Sequence, residues 1–225
     1  MTPPIRWRGE EAGYERQSDA VAKPDGWLHV GDMTGKLLTR RAALLLSAAI
    51  AASPIVPAAR ADDADWAALR QPGAVALIRH ARAPGTGDPP GFRLGDCASQ
   101  RNLSDDGRAQ ARCLGETMRS RGVAVARVLS SEWCRARDTA MLAFGAAEAF
   151  PAINSFFADR TDEPEQSDAA RAAIGAWRRD GVLVMVTHQV NITALTGIFP
   201  REGEIVVVRG VGGRVVVEGR IFVGA

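Results

Sequence analysis

The sequence predicts an α/β sandwich built around a mainly parallel sheet, and three observations carry that prediction. From Ala74 onward, short apolar runs alternate with stretches of helical length, the order that builds strand–helix–strand crossovers. Two of the runs, AVALI (Ala74 to Ile78) and VLVMV (Val182 to Val186), are apolar at every position, as strands covered on both faces are. The C-terminal tail breaks the alternation. Glu204 to Arg209 and Arg214 to Val223 are β-rich and flank Gly210 to Gly213, so a hairpin gives the sheet a mixed edge.

The elements follow in order. Ala74 to Ile78 is a buried strand ending at Arg79-His80. Ala81 to Leu103 is rich in Gly, Pro and Asp and reads as a long loop, a length usually kept for function. Ser104 to Arg121 is a helix with Ser104 or Asp105 as cap and Ala109, Cys113, Leu114, Thr117 and Met118 as its stripe. Val123 to Leu129 is a strand leading into Ser130-Ser131, and Glu132 to Phe144 a helix closed by Gly145. PAINSFF (Pro151 to Phe157) is taken as a short strand, Ala158 to Gln166 as an acidic loop, and Ser167 to Arg179 as a helix. Val182 to Val186 runs into Thr187-His188, and Val190 to Gly197 is a short helix.

The N-terminal part reads differently. Arg40-Arg41 precedes an apolar core, Ala42 to Ser53, broken by Pro54 and Pro57 and closed by Ala59-Arg60-Ala61. This is the pattern of a cleavable secretory signal peptide, residues 33–61, with the arginine pair of twin-arginine export. The core is too short for a membrane span, which needs roughly 20 residues. Residues 1–32 are polar and aperiodic, an over-extension upstream of a start at Met33. The expected mature chain, Asp62 to Ala225, holds 20 Arg, no Lys and 20 Asp plus Glu. That balance argues against bulk binding to nucleic acid or anionic lipid. Without lysine, Schiff-base chemistry is excluded from this stretch.

Of the three cysteines, Cys97, Cys113 and Cys134, the first sits in the long loop and the last beside Arg135. In an oxidising compartment a Cys97–Cys134 bridge is the preferred pairing, with the other pairings and three thiols left open. Their spacing matches no zinc pattern.

Ligands of such sheets gather beyond the carboxyl ends of the strands, and three strand ends carry chemistry: Arg79-His80, Ser130-Ser131 and Thr187-His188. A buried arginine beside a histidine needs an anion or carboxylate, and a phosphate would satisfy both. Arg135, in the first turn after a strand, can aim its planar fork at the same edge. Arg137, two residues on, must point elsewhere and reads as a solvated surface residue.

Four segments, in this order, resemble the histidine phosphatase superfamily, which includes the cofactor-dependent phosphoglycerate mutases. They are VALIRHARAPG with Arg79-His80-Ala81, NLSDDGRAQA (Asn102 to Ala111), VLSSEWCRARDTA (Val128 to Ala140) and VMVTHQVNI (Val184 to Ile192). The resemblance implies a three-layer α/β/α sandwich of phosphoglycerate mutase-like fold as a single domain over residues 62–225. It implies a phosphoric monoester hydrolase in which His80 is the nucleophile, forming a phosphohistidine, while Arg79, Arg135 and a cationic His188 hold the phosphoryl oxygens. No metal or other cofactor is implied. Asp159 is chosen from the acidic loop as general acid because it lies nearest the end of PAINSFF. Ala81 and Gln189 stand where the family usually has glycine, and a Cβ there is expected to narrow the pocket or shift the backbone. The implied partner is a small phosphorylated substrate, in the periplasm or otherwise outside the cytoplasm; oligomeric state is not legible. The alternatives are a non-catalytic phosphate-binding or interaction module and, within the family, a phosphohistidine phosphatase or a lipopolysaccharide-core phosphate phosphatase.

Overall fold

In the computed structural model, residues 61–223 are described. Apart from its last residue, Ala61, the expected signal peptide falls outside them, as does the segment before it. A helix, α1 (Ala61–Leu69), leads into β1 (Val75–Arg79), and a long loop then reaches α2 (Asp105–Ser120). There follow β2 (Val125–Ser130), α3 (Cys134–Phe144), β3 (Glu148–Ala149), α4 (Glu163–Ala176), β4 (Val182–Thr187), α5 (Gln189–Thr196), β5 (Glu204–Val211) and β6 (Arg214–Phe222).

The six strands form one sheet in the order β3-β2-β4-β1-β5-β6. The first four are parallel, and β5 and β6 add the antiparallel edge expected of the tail. Gly212 and Gly213 have φ of 56° and 77°, the pair of positive values that a tight two-residue hairpin turn requires. Because β2, β4 and β1 are adjacent and parallel, their carboxyl ends meet at one edge. Ser130 pairs with Val186, and Arg79 pairs with Thr187.

Side chains alternate along each strand, so the sheet has two cores. Ala76 and Ile78 face a cluster with Trp66, Leu69, Leu114, Met118 and Ala140 from α1, α2 and α3. Val75 and Leu77 face Ile174 and Ala170 of α4 and Ile192 and Leu195 of α5. The result is the expected three-layer arrangement.

Three local expectations are corrected. PAINSFF is not a strand: Pro151 opens a 3-10 turn, Pro151–Ile153, since proline supplies no N–H for a ladder. The strand pairing β2 lies just upstream, at Glu148–Ala149. The fourth helix begins at Glu163, inside the segment read as an acidic loop, with Pro164 in its first turn and Glu163 and Glu165 at its positive end. On α2, Leu114 and Met118 are buried as expected, but Ala109 is exposed and Gly107, Gln110 and Gly115 take the inner face. A Cβ on Gly107 would lie 2.0 Å from the Arg82 carbonyl oxygen, so glycine is what lets α2 reach the chain just past His80. Ser104 caps this helix, its Oγ accepting from Gly107 N–H at 3.1 Å.

No helix among the described residues is long and apolar enough to cross a membrane.

Candidate active site

Hydrogen bonds between neighbouring strand ends hold the two histidines. His80 N–H donates to Thr187 O at 2.9 Å, and Ser131 N–H to Val186 O at 3.0 Å. His188 is the N-cap of α5. The two imidazole rings lie 5.4 Å apart, centroid to centroid, and both are almost fully buried.

The tautomer of His80 is set by its own backbone. Nδ1 is 2.8 Å from the Ala81 carbonyl oxygen; a carbonyl only accepts, so Nδ1 carries the hydrogen and Nε2 of the neutral ring keeps its lone pair. Burial pushes the pKa of His80 well below the usual imidazole range. The Ala81 carbonyl opposes that shift, while the charges of Arg135, Arg79 and Arg101 add to it. The ring is therefore neutral near pH 7. Ala81 N–H donates to Thr139 Oγ1 at 3.0 Å, and Thr139 Oγ1 donates to Arg135 O at 2.7 Å, tying the end of β1 to the first turn of α3.

A chain of bonds settles His188 as well. Asn154 Nδ2 donates to Glu132 Oε2 at 2.7 Å, and its Oδ1 accepts from Glu132 N–H at 2.9 Å. The Ser131 hydroxyl must then donate to Asn154 Oδ1, at 3.1 Å. Its oxygen is left to accept from His188 Nε2–H, at 2.8 Å. Burial, with His80 and the surrounding arginines, also drives the pKa of His188 well below the usual range. Burial beside these guanidiniums disfavours an imidazolium, so His188 rests neutral, and the cationic state expected of it requires the charge of a bound phosphoryl group to hold it.

Arg79 and Arg135 enter from β1 and α3. Arg79 Nη1 donates to Pro200 O at 3.0 Å, and Nη2 lies 3.8 Å from Glu202. Arg135 is 3% exposed and forms a two-pronged ion pair with Asp88, Nη1 to Oδ1 at 2.8 Å and Nη2 to Oδ2 at 3.1 Å. Asp88 also accepts from Trp133 Nε1 and from Arg101 N–H, each at 3.1 Å. Burial raises the Asp88 pKa, but these bonds and the charge of Arg135 outweigh it and hold the carboxyl below its ordinary value. The Nε of Arg79 and the Nε of Arg135 are both buried with no partner. Two strong donors are thus left over in one place, the situation a bound anion relieves.

Arg79, His80, Arg135 and His188 all line a single cavity of about 260 Å³, together with Asp88 and Arg101. The structure does not bring Asp159 to them. Its carboxylate is exposed and turned back onto Thr161, accepting from the hydroxyl at 2.6 Å and from N–H at 2.9 Å. These bonds keep its pKa low. The neighbouring Ala158 lines the cavity, and the chain turns away one residue later. Arg137 is exposed, as read from the sequence. The Ala81 methyl packs with Ala83, Leu103 and Ala111 rather than lining the cavity, so the backbone accommodates it without loss of space. Gln189 does line the cavity, and its Nε2 is held by Thr193 Oγ1 at 2.9 Å.

Cys97 and Cys134 form a disulfide. It fastens the long loop, which carries Asp88, to the start of α3 beside Arg135. Within that loop Arg101 Nε donates to Gly87 O at 2.7 Å and its Nη1 to Ala83 O. Asp88, Arg101, Ser131 and Asn154 were not assigned roles from the sequence. The Gly-Asp-Pro-Pro text inside a long loop following His80 is the one signal that marks Asp88.

A sequence model described as histidine phosphatase superfamily (branch 1) matches residues 75–155. No curated protein matches the chain. Among solved structures, the chain is similar to the protein histidine phosphatase SixA complexed with tungstate (16% identity, covering 66% of this chain and 96% of that one, TM-score 0.47). It is also similar to a mycobacterial glucosyl-3-phosphoglycerate phosphatase (15% identity, 65% and 97% covered, TM-score 0.45). The matched segment spans the strand that ends at Arg79-His80 and the helix that presents Arg135, and over this segment the chain is similar to the histidine phosphatase superfamily.

Proposed function

We propose that the chain is a metal-independent phosphatase that moves a phosphoryl group from a phosphate monoester to Nε2 of His80 and then to water. The observation that carries this is the state of His80: a buried, neutral imidazole, its Nδ1 hydrogen fixed by Ala81 O, in a cavity it shares with Arg79, Arg135 and His188. In the first step the Nε2 lone pair attacks phosphorus and the bond to the leaving oxygen breaks. In the second, water attacks phosphorus, the P–N bond breaks and phosphate departs; the proton released from water ends on the leaving group or in solvent. The free Nε donors of Arg79 and Arg135 supply hydrogen bonds and charge to the equatorial oxygens, the largest lever in phosphoryl transfer.

Asp88 holds Arg135 end-on, through Nη1 and Nη2. The side-on pair of a guanidinium, Nε–H with the second hydrogen of Nη2, then remains for the phosphoryl group. Asp88 is a positioning residue in this reading.

The experiment is hydrolysis of p-nitrophenyl phosphate by the full chain with a chelator present. Turnover that persists with chelator and is lost in His80→Ala supports the reading. A wild type that binds phosphate or vanadate without turnover contradicts it and leaves a phosphate-binding module.

Export completes the proposal. It is supported by Arg40-Arg41 before the short apolar core and by a disulfide of the kind that persists in oxidising compartments. N-terminal sequencing of the mature protein tests it; a new terminus at Asp62 is expected, and an N-terminus retained upstream of Arg40 on a cytoplasmic protein contradicts it.

A further inference from the structure

Resting on that reading, the cavity also speaks to the substrate. The charged groups lie at its floor, where His80 attacks. Among the described residues that line it, Arg79, Asp88, Arg101 and Arg135 carry charge, beside the neutral His80 and His188, and the rest carry none. Three separate segments each supply a phenyl ring: Phe92 from the long loop, Phe157 from the stretch before α4, and Phe199 after α5. Phe157 is 54% exposed and Phe199 is 70% exposed. Large apolar rings left open to water around a polar floor are the mark of a ligand surface, since a solvated loop gains nothing from them. At about 260 Å³ the cavity is at the small end for ligand sites, so the group beyond the phosphoryl lies against these rings.

A second, independent observation concerns the proton. Asp88 is the only carboxylate among the described residues lining the cavity. Its two oxygens are already engaged by Arg135, Trp133 and Arg101. That arrangement needs an ionised carboxylate, which has no proton to give. Asp159 faces away. A leaving oxygen must then depart as an anion, which a phenolic oxygen does far more readily than an alkanol.

We infer that the substrate class is an aryl phosphate monoester with an uncharged ring, seated between the apolar rim and the cationic floor. Atoms balance without a co-reactant: the phosphoryl passes to His80, the phenolate leaves and takes a proton from water, and a second water releases phosphate.

The full chain is assayed for kcat/KM on phenyl phosphate, 2-phenylethyl phosphate and glycerol 3-phosphate. The last two share an alkanol leaving group, so their ratio reads the rim alone; about tenfold or more in favour of the ring is expected, the scale of one apolar group in a pocket. Phenyl and 2-phenylethyl phosphate share the ring, so their ratio reads the missing acid; about 10²-fold or more is expected, the contribution an acid typically makes. In Phe157→Ser/Phe199→Ser, both exposed positions, the first ratio falls toward one. Equal constants for glycerol 3-phosphate and 2-phenylethyl phosphate overturn the inference and leave the phosphatase reading intact. Absence of turnover on all three, with no phosphate released from His80, overturns the phosphatase reading and the inference together.

Discussion

Replacing Asp88 tests how the cationic floor is held together. Its carboxylate side chain is 8% exposed, and its partner Arg135 is 3% exposed. Asp88→Ala leaves a guanidinium buried without counter-charge, a loss of about 3–5 kcal/mol when one member of a buried pair is removed. Asp88→Asn keeps the shape and some bonds to Trp133 Nε1 and Arg101 N–H, and costs less, about 1.5–3 kcal/mol, the range for a hydrogen bond to a charged group. The pH dependence has a definite sign. Folded Asp88 titrates below its ordinary value, so its stabilisation is complete above the unfolded value near pH 4 and is lost as pH falls through the folded one. Urea unfolding from pH 7 down to pH 3 reads both effects: the wild type loses stability on the acid side, and the Asn variant starts lower and loses less. Turnover and phosphate affinity supply a readout that a purely structural role would not move: both fall in Asp88→Asn, because Arg135 is no longer held end-on. A variant as stable as wild type, or one that binds phosphate more tightly, would refute the reasoning, the second by showing that Asp88 blocks the site instead of ordering it.

Three more outcomes are expected. Arg135→Ala lowers kcat by at least about tenfold more than Arg137→Ala, since loss of a preorganised transition-state donor costs on the order of 10²–10³ in rate; equal losses mean the wrong arginine was assigned. Asp159→Asn leaves kcat on 2-phenylethyl phosphate, whose alkanol leaving group is the kind an acid would assist, within about twofold, because its carboxylate is tied to Thr161 outside the cavity; a loss near the roughly 10²–10⁴-fold of a general acid would restore it to the mechanism. His80 and His188 are held neutral below the ordinary imidazole range near pH 6.5. The unfolded chain therefore takes up protons first, and stability falls as pH drops through about 6.5. Activity persists below that pH, and a kcat/KM profile whose acid limb sits at pH 7 or above would contradict a depressed nucleophile.

The parts of this account legible in the sequence are those with a period or a strand end. VALIR and VLVMVT are apolar enough on both faces to be read as central strands, and the residues after them, His80 and His188, inherit their position from the parallel pairing. Arg135 was legible from its place in the first turn of α3. Asp88 was not: it lies in an aperiodic loop, and its partner is 47 residues away in sequence. Asp159 follows as the acid only if PAINSFF is a strand. Pro151 makes that stretch a turn, so the direction in which the chain left it was wrong, and the acid with it. The two-residue β3 carries no periodicity, and the acidic first turn of α4 looks like loop until Pro164 is read as a helix-starting residue.

The central claim is that Nε2 of His80 carries the phosphoryl group in transit. Rapid acid-free quenching of the full chain during turnover of ³²P-labelled phenyl phosphate, followed by peptide mapping, tests it most directly. The account predicts one label, stable in alkali and released by mild acid, on the peptide containing His80, and none in His80→Ala. Label on another residue, or unimpaired turnover by His80→Ala, would contradict it.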